Sequence, residues 1–207
     1  MFEQFEPYGV VPILSVPTVE TGIKACEALI AGELPIAEIT FRTDAGAEAI
    51  KEVADRYPEM VIGAGTLLSP EDVKKARDNG AHFGVSPGCS RELIRSSIEE
   101  GLPFAPGVCS PSDIMCALEE GVTDLKYFPA EKSGGAKMLE ALAAPFKHAG
   151  VRFCPTGGIK PSNMRQYLRL DTVPAVAGSW LGKRDRLENE EWDDITRLAS
   201  EAVYTAR

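Results

Sequence analysis

Short apolar runs alternate with longer amphipathic stretches along the whole chain. The runs are VVPILSV from Val10, PIAEITF from Pro35, VIGAGT from Val61 and HFGVSP from His82. They continue with PFAPGV from Pro103, DLKYFP from Asp124, RFCPTG from Arg152 and VPAVAG from Val173. The gaps between them space apolar residues as one helix face requires, as in TVETGIKACEALIAG and SPEDVKKARDNG. Ser69 before Pro70, Glu71 and Asp72 predicts a helix start: a hydroxyl cap, a proline in the first turn, then acids at the positive end. Gly80 predicts its stop, and Gly32, Gly101, Gly121 and Gly150 end other helices in the same way.

Eight strand–helix units in 207 residues predict an α/β chain of the (β/α)8 TIM-barrel class, a single domain over residues 1–207. The opening MFEQFEPY is expected to form a short N-terminal helix closing the barrel bottom, and the last helix is expected from Glu190 to Ala206. A doubly wound open sheet is the architectural alternative. It needs a glycine-rich turn after the first strand, and VVPILSVPTVE has none.

Composition narrows the function classes. Hydrophobic residues make up 44%, enough for one full-sized core. Lys and Arg total 22 against 31 Asp and Glu, a net charge of −9, which disfavours nucleic acid and anionic lipid as partners. No apolar run approaches the roughly 18 residues of a membrane span. The first ten residues carry two acids and no base, so they do not read as a secretory signal. Cys26, Cys89, Cys109, Cys116 and Cys154 are odd in number and lack CxxC spacing. A reduced, cytoplasmic protein using cysteines as small core residues is expected. With only His82 and His148, no three-histidine metal site can form, and no metal is expected.

A barrel interior is filled by branched apolar side chains, and its chemistry sits at the C-terminal strand ends. Polar residues inside the runs are therefore informative. In Ile36–Thr43, strand alternation puts Glu38, Thr40 and Arg42 on one face and Ile39 and Phe41 on the other. The apolar pair suits the helix layer, which turns the polar trio inward. One reading is a structural ion pair. The other is a carboxylate that moves protons beside a guanidinium that grips an anion. Lys126 interrupts the sixth run on the face opposite Leu125 and Tyr127. An amine withdrawn from water holds its proton less firmly, and a neutral amine can attack a ketone to form a Schiff base. A lysine snorkelling to the barrel mouth or paired with Glu38 is the structural counterpart.

Gly157 and Gly158 end the seventh run, and Gly178 and Ser179 end the eighth. Barrels commonly hold phosphate at these two ends on bare backbone N–H groups. Gly63-Ala64-Gly65-Thr66, Ser86-Pro87-Gly88 and Pro106-Gly107-Val108 end other runs as turn chemistry. Trp180 and Trp192 read as packing residues. Lys132 and Lys160 follow loop signals and are weaker nucleophile candidates than Lys126.

The segments VVPIL, AEITFRT, GAGTL, SPG, PGV, LKYFPAE, RFCPTGGI and GSWL, in this order from about Val10 to Ser200, resemble the 2-keto-3-deoxy-6-phosphogluconate (KDPG) and 4-hydroxy-2-oxoglutarate (KHG) aldolase family. The resemblance implies a class I aldolase, a carbon–carbon lyase on a (β/α)8 barrel, usually a homotrimer. Its partners are small keto-acid and aldehyde substrates, and it uses a covalent imine in place of a cofactor. It implies Lys126 as the Schiff-base lysine, Glu38 as the proton shuttle and Arg42 as the carboxylate anchor with Thr66 nearby. Pro87, Phe128 and Thr156 are implied to border the substrate, and Gly157, Gly158, Gly178 and Ser179 to hold its phosphate. Ala177 stands where relatives often have a second glycine, and Ser15-Val16-Pro17-Thr18 stands where some have a basic residue. Both differences bear on the far end of the substrate. Aldolases for a galactonate-type or unphosphorylated keto-acid, and a non-aldolase sugar-phosphate barrel, are the competing readings.

Overall fold

The structure is a computed structural model and describes residues 1–206. Its strands are β1 (Val10–Leu14), β2 (Ile36–Thr40), β3 (Val61–Gly65), β4 (Phe83–Val85), β5 (Phe104–Ala105), β6 (Gly107–Val108), β7 (Asp124–Tyr127), β8 (Arg152–Pro155) and β9 (Val176–Gly178). Between them run helices α1 (Val19–Ala31), α2 (Gly46–Arg56), α3 (Pro70–Asp78), α4 (Arg91–Glu99), α5 (Pro111–Glu119), α6 (Gly135–Ala143) and α7 (Met164–Leu168). Two more, α8 (Arg184–Glu188) and α9 (Trp192–Ala206), follow the last strand.

Every strand pairing is parallel. One sheet has the order β5-β4-β3-β2-β1-β9 and a second has β6-β7-β8. The sheets curl toward each other. Thr156, just past β8, bridges Ala177 on β9, and only Pro106 separates β5 from β6. Nine strand segments thus replace the expected eight, because the run from Pro103 is cut in two. Proline has no N–H to give a ladder. Gly107 beside it lies so close to the Pro87 carbonyl that a Cβ would overlap it.

Local chemistry explains the helix ends. Ser69 caps α3 and Asp72 bonds back to the Ser69 N–H, with Pro70 in the first turn. Ser110, Pro111 and Asp113 repeat the device on α5. Gly80, Gly101, Gly121 and Gly150 adopt positive φ after their helices, as expected. Gly32 does not (φ −86°). A Cβ there would lie 2.6 Å from that of Ala199, so Gly32 is needed for the approach of α1 to α9.

The N-terminal segment is a three-residue 3-10 turn, Phe2–Gln4, rather than an α-helix. Phe2 and Phe5 are buried, and Phe5 meets Phe83 edge-on with ring centroids 4.8 Å apart. Such a contact contributes about 0.5–1.5 kcal/mol beyond burial. The Phe2 N–H donates to Asp124 Oδ2 at 3.0 Å, and Arg152 grips the same carboxylate with two bonds of 2.8 and 3.0 Å. A buried acid needs such partners. The last helix starts at Trp192 rather than Glu190. All five cysteines are free, but only Cys26 and Cys154 are core residues; Cys109 is exposed, and Cys89 and Cys116 are half-buried. No helix is long and apolar enough to cross a membrane among the described residues.

Candidate active site

Glu38 on β2 and Lys126 on β7 meet across the interior between the two sheets. Both are buried, 3% and 7% exposed. Lys126 Nζ donates to Glu38 Oε1 at 3.0 Å and to Oε2 at 3.2 Å. The carboxylate has room because its neighbour on β3 is glycine: a Cβ on Gly65 would lie 2.6 Å from Glu38 Cδ. The Phe128 ring centroid is 5.8 Å from Lys126 Nζ, within cation–π range.

Arg42 lies just beyond β2 and is exposed at the rim. Its Nε donates to Thr66 Oγ1 at 3.2 Å. Thr66 follows β3 with φ +62°, a left-handed conformation unusual for a β-branched residue. Strain of this kind costs about 1–3 kcal/mol and collects at functional sites. Thr40 shares a 2.8 Å hydrogen bond with Ser15, so both hydroxyls are engaged with each other.

Beneath the pair, Phe2, Phe5, Phe83 and Cys154 help line a void of about 10 Å³. Such a floor leaves little room for water under the amine. Burial pushes the Cys154 thiol up to about 12, so it stays protonated and is no rival nucleophile.

The ends of β8 and β9 form the other flank. Gly157 and Gly158 have φ +98° and +81°, reserved in practice for glycine. The segment after β7 is zipped onto this turn. Ala130 N–H donates to the Thr156 carbonyl at 2.7 Å, and Glu131 N–H to that of Gly157 at 3.1 Å. Tyr167 in α7 bonds the Glu131 carboxylate through its hydroxyl. Burial and that bond raise the Tyr167 pKa, so the phenol remains a donor. Trp180 lies over Gly178, where any Cβ would overlap its ring.

These flanks enclose one cavity of about 400 Å³. Lys126, Glu38, Arg42, Thr66, Pro87, Phe128, Thr156, Gly157, Gly158, Gly178 and Ser179 all line it. The structure therefore brings every candidate site residue to one place. It adds Ile13, Ile159, Lys160, Trp180 and Lys183. Trp180 was expected only to pack; it does so over Gly178, as part of the cavity wall. Lys160, the weaker nucleophile candidate, is exposed on the cavity lining, and it is Lys126 that donates to Glu38. Lys183 carries no signal beyond its place two residues past GSWL. Ala177 lines the small void under Lys126 rather than this cavity, so its methyl does not face the glycine flank.

A model for "Aldolase: KDPG and KHG aldolase" matches residues 3–198. The chain belongs to the KDPG and KHG aldolase family. The family consists of aldehyde-lyases, which break carbon–carbon bonds. The KHG/KDPG aldolase of Escherichia coli K12 is 42% identical over 198 residues, covering 96% of this chain and 92% of the relative. The 2-dehydro-3-deoxy-phosphogluconate aldolase of Dickeya dadantii is 41% identical over 197 residues, covering 95% and 92%. Among solved structures, the KDPG aldolase of Legionella pneumophila superposes with a TM-score of 0.92 at 35% identity, over 97% of each chain. In that crystal, pyruvate was captured at low pH as a covalent carbinolamine. The 2-keto-3-deoxy-6-phosphogluconate aldolase of Zymomonas mobilis ZM4, solved with 3-phosphoglycerate, gives a TM-score of 0.87 at 36% identity over 97% of this chain and 94% of that one.

Proposed function

We propose that the chain is a class I aldolase that cleaves 2-keto-3-deoxy-6-phosphogluconate to pyruvate and glyceraldehyde 3-phosphate. It also splits 4-hydroxy-2-oxoglutarate to pyruvate and glyoxylate. The observation that carries this reading is the buried contact between Lys126 Nζ and both oxygens of Glu38, which line the same cavity as the other candidate residues. Few structural roles require a lysine there, whereas imine chemistry requires an amine and a proton carrier within reach of one another.

Glu38 takes a proton from the Lys126 ammonium. The neutral amine adds to the C2 ketone, and Glu38 returns the proton as the carbinolamine loses water. The resulting iminium withdraws electrons from the C3–C4 bond. Glu38 then removes the C4 hydroxyl proton, the bond breaks, and the aldehyde leaves. Its electron pair remains as an enamine on Lys126. Protonation at C3 and hydrolysis release pyruvate and restore the amine. Arg42, steadied by Thr66 Oγ1, holds the substrate carboxylate with a charge-assisted fork. General acid–base assistance of this kind contributes about 10²- to 10⁴-fold. The Gly157, Gly158, Gly178 and Ser179 flank receives the phosphate, supplying binding energy remote from the bond that breaks. The iminium is the electron sink, and the scheme invokes no metal.

The same reading makes the strands one closed (β/α)8 barrel, a single domain over residues 1–207 with the Phe2–Gln4 turn closing its bottom. The Thr156–Ala177 bridge and the continuity through Pro106 support closure. Exposed Leu68, Ile98, Met115 and Met138 supply apolar surface for a homotrimer. Five free cysteines fit a cytoplasmic location.

Borohydride reduction with pyruvate, followed by peptide mass mapping, tests the mechanism. A stable pyruvate adduct on Lys126 is expected. Absence of an adduct from folded protein at neutral to mildly basic pH overturns the class I assignment.

A further inference from the structure

The cavity is strongly cationic in a chain that is strongly anionic. Arg42, Lys126, Lys160 and Lys183 line it, and Glu38 is the one acid among the lining residues. Arg42 and Lys126 are occupied at the reacting end, by Thr66 and Glu38. Lys160 and Lys183 are not. Among the described residues neither has an ion-pair partner within 4.0 Å. The two lysines lie on separate loops, after β8 and after β9, and both loops are held in place. The Lys160 N–H donates to Asn163 Oδ1 at 2.8 Å, while Asn163 Nδ2 donates to the Gly158 carbonyl at 3.1 Å. On the other loop, Arg186 Nη1 donates to the carbonyls of Trp180 and Leu181 at 2.9 and 3.2 Å. Gly182 there packs so tightly on Leu14 that a Cβ would overlap its side chain. Between the two loops, the backbone N–H groups of Gly158 and Ser179 find no acceptor among the described residues.

We propose that Lys160 and Lys183 are specificity-determining residues that close over a phosphate monoester seated on the Gly158 and Ser179 N–H groups, and that they set the preference for a phosphorylated keto-acid over its unphosphorylated counterpart. This rests on the aldolase reading above. Backbone donors alone orient a phosphate, but they carry no full charge and also accept neutral hydroxyls. Two ammonium groups match the two charges of a monoester dianion and gain little from an alcohol. Lysine suits the task, because a flexible point charge reaches a phosphate that binds and leaves in every turnover. Substrate charge is thus read at the cavity mouth, by residues separate from those that break the bond.

The test compares kcat/KM for 2-keto-3-deoxy-6-phosphogluconate and for 2-keto-3-deoxygluconate in the wild type, Lys160→Gln, Lys183→Gln and the double variant. Pyruvate trapping by borohydride on Lys126 is measured in each. The phosphorylated-to-unphosphorylated ratio is expected to fall about 5-fold in each single variant and roughly 30-fold in the double, chiefly through KM. Lys160→Arg and Lys183→Arg are expected to retain most of the ratio. Trapping should persist in every variant, which also reports that the fold is intact. A ratio that stays within about 2-fold of wild type in the double variant overturns the proposal, as does a wild type indifferent to the phosphate. Failure of the wild type to trap pyruvate is distinguishable from both: it removes the aldolase reading, and this inference with it.

Discussion

Gly65 on β3 leaves the space that the Glu38 carboxylate on β2 fills; a methyl at Gly65 would stand 2.6 Å from Glu38 Cδ. The glycine therefore positions the proton carrier without touching substrate. Gly65→Ala should drive the carboxylate off Lys126 while the sheet persists. A fall in kcat of about 10²-fold or more is expected, approaching the loss of the general acid–base group itself. Steady-state kinetics beside circular dichroism checks this; normal kcat in folded Gly65→Ala would mean that Glu38 need not occupy its observed place.

Removing either member of the buried pair should separate chemistry from stability. Lys126→Met is expected to abolish borohydride trapping and to leave the Glu38 carboxylate buried without its partner. Breaking a buried pair in this way costs about 3–5 kcal/mol. Glu38→Gln keeps a hydrogen-bonding group and should trap pyruvate slowly, with kcat down roughly 10²- to 10⁴-fold. Chemical denaturation and mass mapping of both variants measure the two effects. Equal trapping in Lys126→Met and wild type would exclude Lys126 as the nucleophile.

Ionic strength should matter little. A net charge of −9 repels an anionic substrate at long range, whereas Arg42, Lys160 and Lys183 attract it at the mouth. Screening weakens both fields. A change in kcat/KM of less than about 5-fold between about 20 and 200 mM salt is expected, and a steep fall would reveal long-range steering.

Alkaline pH should destabilise the fold through Cys26, a buried thiol in α1. Loss of hydration pushes it up to about 12, above its ordinary 9.0. A folded value above the unfolded one gives a contribution that is intact below about pH 9 and is lost as pH rises toward 12. The expected slope is about 1.4 kcal/mol per pH unit within that window. Denaturation at several pH values between about 8 and 11 should show a shallower decline for Cys26→Ala than for wild type. Parallel declines would assign the alkaline loss to other groups.

Much of this was legible in the chain because its signals are local. Alternation along Ile36–Thr43 set Glu38 apart from Ile39, and a lysine within DLKYFP has no place in an ordinary buried strand. Ser69 and Pro70 announced the start of α3 for equally local reasons. Charge lodged in an apolar run is an anomaly that needs no tertiary information to notice.

Other features depend on neighbours distant in sequence. Pro106 breaks its strand, Gly107 after it is required by the Pro87 carbonyl, and Gly32 is required by α9, far along the chain. Lys160 and Lys183 are unremarkable loop lysines until two separate loops bring them to one cavity. Ala177, whose position bears on the far end of the substrate in the sequence reading, lines the floor beneath Lys126 instead. The order of strands and helices and the identity of the buried acid and amine can be read from the chain alone, because periodicity and the cost of burying charge act residue by residue. The curling of the parallel sheets decided the rest: it sets Lys126 Nζ 3.0 Å from a carboxylate 88 residues away in the chain.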